Sequence, residues 1–168
     1  MASGSIFCGT WNVNAKKQDG GLQEWLLPGS VPGNKGQSPS PMADLYVIGF
    51  QEIVDLNATN VILDTSKTQQ RSLFWQERIE DSLNGSLNGS GSGSGGGGNN
   101  GDKYRLLSSK SLVGLLLCVY AKQSVMPFIT DIRSTHEATG LLGMMGNKGG
   151  VCIRLNMYDT SICFVCAH

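Results

Sequence analysis

The sequence predicts an α/β (α+β) domain in which helices cover a β-sheet. Three patterns carry the prediction: strand and helix signals alternate up to Leu83, strand signals alone follow Asp102, and Val151, Ile153 and Leu155 alternate with Cys152, Arg154 and Asn156 as a half-buried strand does. In order along the chain, Ile6–Val13 reads as a strand, Leu22–Leu27 as a short helix and Asp44–Phe50 as a buried strand. Gln69–Leu83 sets Phe74, Trp75, Ile79 and Leu83 at near-helical spacing, with Glu77, Arg78 and Glu80 between them, and reads as an amphipathic helix. Arg105–Leu107, Leu112–Ala121, Phe128–Arg133, Val151–Met157 and Ser161–Ala167 are strand-like and mostly consecutive, which favours antiparallel pairing.

Two stretches interrupt this order. Pro28–Pro41 holds four of the five prolines and resists both helix and central strand, so it is expected to be a surface loop. Asn84–Gly101 contains nine Gly, four Ser and four Asn, too little apolar surface to offset the entropy of ordering, and is expected to be a disordered insert.

The 168 residues, 40% of them hydrophobic, suffice for one core. Thirteen basic and thirteen acidic residues cancel, so no global field steers the chain to nucleic acid or an anionic bilayer, and any anion site must be local. No apolar stretch reaches the roughly 20 residues needed to span a bilayer, and Met1–Ser5 lacks the features of a secretory signal, which predicts a soluble, cytoplasmic protein. The five cysteines lie in or beside apolar runs and are expected to be free and buried. Cys163 and Cys166 form a CxxC, but residues three apart on a strand face opposite ways and cannot share a metal.

The chemistry gathers at strand ends. Asn12 and Asn14, Gln51 and Glu52, and His168 each follow an apolar strand, where α/β folds place their sites. A single carboxylate among neutral amides suits Mg²⁺, which retains several waters and takes further ligands from a substrate phosphate. Glycines flank Asn147 and Lys148 in Gly146–Gly150, so backbone N–H groups and one ammonium can surround an anion. Gly33-Asn34-Lys35-Gly36 repeats the tetrapeptide within the proline-rich loop, so only its place beside the strand at Val151 marks the second copy as a candidate phosphate loop.

Four segments in order, Thr10-Trp11-Asn12-Val13-Asn14, Phe50-Gln51-Glu52-Ile53-Val54, Met145-Gly146-Asn147-Lys148-Gly149-Gly150-Val151 and Ala167-His168, resemble the inositol-polyphosphate 5-phosphatases. The resemblance spans nearly all of 1–168 apart from the two loops. It implies the N-terminal part of one catalytic domain, a helix-flanked two-sheet β-sandwich of the deoxyribonuclease-I-like type. It implies Mg²⁺-assisted removal by water of the 5-phosphate from inositol phosphates or phosphoinositide headgroups, with no nucleic-acid partner. Position by position, Glu52 matches the metal carboxylate with Asn12 beside it and Asn14 as a lesser contributor. His168 matches the histidine on the scissile phosphate, and Asn147 and Lys148 match the loop that meets a second phosphate.

The family pattern continues with Gly-Asp-Leu-Asn and Ser-Asp-His segments that orient and deprotonate water. Neither occurs in this sequence, so little phosphatase activity is expected of these 168 residues alone. Leu141, Leu142, Met144 and Met145 admit two readings: burial in the core, or a tip in which Leu141 and Leu142 enter the cytosolic face of a membrane beside Lys148. Two further functions stay open, a metal-dependent nuclease of the same superfamily, which lacks the expected basic stripe, and a non-catalytic phosphoinositide-binding segment.

Overall fold

A computed structural model describes residues 3–18, 20–27, 42–55, 65–85, 102–139 and 148–168. The elements are β1 (Ile6–Asn12), α1 (Gln23–Leu26), β2 (Leu45–Gln51), α2 (Thr65–Gly85), β3 (Tyr104–Leu112), β4 (Leu115–Lys122), a 3₁₀ turn (Met126–Phe128), β5 (Ile129–Ala138), β6 (Gly149–Met157) and β7 (Thr160–Ala167). They form a four-stranded sheet in the order β1-β2-β4-β3 and a three-stranded sheet in the order β5-β6-β7. Only β1 and β2 run parallel; every other described pair is antiparallel.

β2 and β4 are continuous apolar runs because both of their faces are buried. Tyr46, Ile48 and Phe50, with Leu116, Cys118 and Tyr120, turn one face toward Trp75, Ile79 and Leu83 of α2 and Leu26 of α1. The alternate residues, Leu45, Val47, Leu115, Leu117, Val119 and Ala121, pack on Val151, Ile153, Leu155 and Met157 of β6. The result is three layers, helices on sheet on sheet, rather than the single helix-covered sheet that periodicity suggests. A second sheet is needed because strands apolar on both faces require a cover on each.

Several boundaries differ from the sequence reading, for identifiable reasons. The 112–121 segment is not one strand: Val113-Gly114 turns between Leu112 and Leu115, with Gly114 at φ 76°, and makes β3 and β4 a hairpin. β5 runs to Ala138 rather than Arg133 because it is exposed along nearly its whole length and shows no apolar alternation. The insert does not begin at Asn84. That residue lies in the last turn of α2, and its side chain accepts from the Tyr104 N–H at 2.9 Å and donates to the Tyr104 carbonyl at 3.1 Å. Residues 86–101 of the insert and the 28–41 loop lie outside the described residues.

The cysteine expectation holds for bonding and fails for burial. All five are free, but Cys8 and Cys163 are exposed and Cys152 is half-buried; only Cys118 and Cys166 are buried. Apolar neighbours in sequence do not bury a residue that faces outward from its own sheet.

Asp44 fastens the end of the large sheet opposite the strand-end motifs. One carboxylate oxygen accepts from the Ser5 N–H at 2.8 Å and the Ser5 hydroxyl at 2.9 Å, and the other accepts from the Lys122 ammonium at 3.0 Å. Partial burial opposes its charge, but the Ser5 amide, Lys122 and the Ser5 hydroxyl outweigh that cost and hold the carboxyl below its usual pKa. The folded state therefore binds the proton less readily than the unfolded chain. The contribution is complete above the ordinary carboxylate pKa of about 3.9 and disappears as pH falls through the lower folded value. Asp44→Asn should reduce stability at neutral pH and narrow its difference from wild type below about pH 4, which urea titrations across that range will show. A difference independent of pH would mean that the carboxylate charge contributes nothing.

Candidate functional site

Asn12 and Gln51 form the last pair of the parallel β1–β2 ladder, so both chains leave the sheet at the same edge. Directly beyond, Asn14, Ala15 and Glu52 adopt φ of 48°, 54° and 53°, a left-handed conformation uncommon for residues with a Cβ. Three backbone bonds secure this turn. The Val13 N–H donates to the Gln51 carbonyl at 3.0 Å, the Ala15 N–H to the Glu52 carbonyl at 2.7 Å, and the Ile53 N–H to the Gly114 carbonyl at 3.0 Å. Beneath it, Trp11 lies edge-on to Trp25, and Phe50 stacks on Trp75 with ring centroids 4.6 Å apart.

The Glu52 carboxylate meets two groups at one oxygen. Asn12 Nδ2 donates to Oε1 at 3.0 Å, and His168 Nε2 lies 3.3 Å from the same atom. Asn12 is oriented in turn by the Asn14 N–H, which donates to its Oδ1 at 3.0 Å. Carboxylate and imidazole retain 30% and 21% side-chain exposure, enough for a ligand to reach both. Residues from the two sheets thus converge where Glu52 and His168 were expected to cooperate.

His168 follows β7 and is fixed by a reciprocal backbone pair with Gly149 at 3.1 and 3.3 Å. Gly149 is required at that point because a Cβ there would lie 2.2 Å from the Glu137 carbonyl oxygen on β5. Lys148 immediately precedes it, its carbonyl accepting from the Thr139 N–H at 3.0 Å and its side chain exposed. Asn147, Leu141 and Leu142 lie outside the described residues.

The sequence reading named Gln51 at its strand end but missed the partners it finds beneath the site. Gln51 Nε2 donates to Thr10 Oγ1 at 2.7 Å and to Cys166 Sγ at 3.2 Å, joining β1, β2 and β7. Gly49 makes this possible, since a Cβ there would stand 2.9 Å from Cys166 Sγ. Burial raises the Cys166 thiol above its ordinary pKa, against a smaller opposing effect of the Gln51 amide, so the sulfur stays protonated. A glycine on an otherwise apolar buried strand was the available signal of a close approach.

Among the described residues no group of three or more His, Cys, Asp or Glu can enclose a metal. Glu52, a single carboxylate held by the Asn12 amide, instead fits a hard cation that takes its remaining ligands from water and a phosphate ester.

Helices on one outer face of a two-sheet sandwich, with carboxylate, amide and imidazole at adjoining strand ends, define an α+β protein of the deoxyribonuclease-I-like fold. The model of endonuclease/exonuclease/phosphatase family 2 matches residues 9–168, and the chain belongs to that family. It is 33% identical to synaptojanin of Caenorhabditis elegans, covering 97% of this chain and 14% of that protein. It is 36% identical to inositol-1,4,5-trisphosphate 5-phosphatase 1 of Schizosaccharomyces pombe, covering 97% and 13%. A crystal structure of the inositol polyphosphate 5-phosphatase domain of SPsynaptojanin, in complex with inositol (1,4)-bisphosphate and calcium ion, superposes with a TM-score of 0.72 at 33% identity. That match covers 98% of this chain and 40% of the other, so the chain spans well under half the length of each of these proteins.

Gly149→Ala should displace the start of β6 and weaken protection of the His168 amide from hydrogen exchange, at a cost of roughly 1–3 kcal/mol in denaturant. Gly150→Ala, whose Cβ would meet nothing nearer than 3.7 Å, is the control and should be tolerated. Equal effects of the two would remove the close approach at Gly149 as the anchor of His168.

Proposed function

We propose that the protein containing this chain is a Mg²⁺-dependent phosphomonoesterase that removes the 5-phosphate from inositol polyphosphates or phosphoinositides. The observation that carries the reading is the meeting of Glu52 and His168 at 3.3 Å across two sheets. A carboxylate and an imidazole so placed can hold a divalent cation and a phosphate oxygen side by side. The nature of the relatives supports the substrate class, since two of them are an inositol-1,4,5-trisphosphate 5-phosphatase and a domain that binds inositol (1,4)-bisphosphate with calcium.

In this reading Glu52 holds the cation and Asn12, locked by Asn14, keeps the carboxylate turned toward it. Held there by Glu52, Mg²⁺ would supply Lewis-acid stabilisation of charge on the phosphoryl oxygens. His168 Nε2, as a hydrogen-bond donor, offsets charge on the reacting phosphate, and the Gly149 pairing keeps the imidazole at that position without reorganisation. Lys148, with Asn147 beside it, anchors a second phosphate of the same ring and so orients the ester. Leu141 and Leu142 seat the loop on the cytosolic face of a membrane when the substrate is a lipid. The corresponding location is cytoplasmic with peripheral membrane contact.

The test is phosphate release by the protein containing this chain, with position analysis of the product, from a soluble inositol trisphosphate and from phosphoinositide in liposomes. Release of the 5-phosphate should require Mg²⁺ and fall at least about 10²-fold in kcat for Glu52→Gln and for His168→Ala. Lys148→Ala should act mainly through KM, and replacing Leu141 and Leu142 by Ser should lower the liposome rate alone. Undiminished release in EDTA, or loss of a phosphate from another ring position, would overturn the assignment.

A further inference from the structure

We propose that Cys152 and Cys163 form an oxidisable dithiol on the outer face of the small sheet, a modification site whose oxidant is hydrogen peroxide. The register of β6 and β7 sets Cys152 opposite Val165 and Arg154 opposite Cys163, which makes the two cysteines diagonal neighbours. Their side chains leave the sheet on the face away from Val151, Ile153 and Leu155, and their sulfurs lie 3.1 Å apart. Closing to a disulfide of about 2.05 Å requires rotation of the two side chains and a local approach of the two strands.

Accessibility separates this pair from Cys118 and Cys166, and the sulfur–sulfur contact separates it from the exposed Cys8. Cys163 is exposed and Cys152 half-buried, whereas Cys118 and Cys166 are buried with thiols raised by burial. Cys163, the more exposed of the two, meets the oxidant first, and the Cys163 sulfur and, to a smaller degree, burial raise the Cys152 thiol. The Cys163 sulfur attacks one peroxide oxygen, the O–O bond breaks, and a sulfenic acid and one water form. The Cys152 sulfur then displaces hydroxyl from the Cys163 sulfur, its own proton departing with that hydroxyl as a second water. Two thiols lose two electrons to one peroxide. A diagonal pair is wider at the backbone than a relaxed disulfide prefers, so the bond is strained, exposed and readily reversed by a dithiol. It would join β6 to β7, the two strands that hold Gly149 against His168.

The experiment treats the whole chain with hydrogen peroxide, alkylates the remaining thiols in denaturant and digests with trypsin. Cleavage after Lys148 and Arg154 places Cys152 and Cys163 on separate peptides, 149–154 and 155–168, unless they are linked. The expected result is loss of two of the five alkylatable thiols and a linked peptide that dithiothreitol separates. Fragmentation between Cys163 and Cys166 should assign the bond to Cys163. Cys163→Ser should abolish the linked peptide and Cys8→Ser should preserve it. Full alkylation after peroxide, a bond carried by Cys166, or sulfinic acid at Cys163 beside a free Cys152 would each refute the proposal.

Discussion

How near β7 can come to β2 decides whether the two sheets share a site at all. Gly49 supplies the room, because any side chain there would collide with Cys166 Sγ. The Gln51 amide then bridges Thr10 and that sulfur, which ties the ends of β1, β2 and β7 together one residue below Glu52. The ordering is physical: a small residue allows the approach, a buried polar bridge fixes it, and a carboxylate and an imidazole far apart in sequence meet above it.

Rigidity around Glu52 follows from the same arrangement. Its left-handed backbone is unfavourable in isolation and persists because neighbouring carbonyl and amide groups bond the turn on both sides. Asn12 and Asn14 add a side-chain relay that orients the carboxylate, so the group is set before any ligand arrives. Such preorganisation suits a site that must stabilise charge on a phosphate, because little reorganisation remains to be paid for when that charge develops.

Much of this was legible in the sequence, and the remainder was hidden for reasons of geometry. The buried strands β2 and β4 and the alternating β6 announced themselves through apolar content, and the strand-end polar residues pointed to the site. β5 did not, since an exposed edge strand carries no apolar alternation. Periodicity assigns a residue to a face but not to a partner. It separated Cys163 from Cys166 correctly, yet gave no indication that Cys163 meets Cys152 or that Cys166 meets Gln51. Those contacts depend on strand register and sheet stacking, which the pattern of one strand does not encode.

The central claim is that Glu52 and His168 serve one ligand. Mn²⁺ in place of Mg²⁺ makes this directly observable, because a paramagnetic cation at Glu52 broadens the NMR signals of nearby protons. The chain has two histidines, and His136 on β5 is the internal reference. Substoichiometric Mn²⁺ should broaden the His168 imidazole resonances selectively, leave those of His136 sharp, and lose this effect in Glu52→Gln. Sharp His168 signals in the presence of bound Mn²⁺, or broadening that survives Glu52→Gln, would contradict the account.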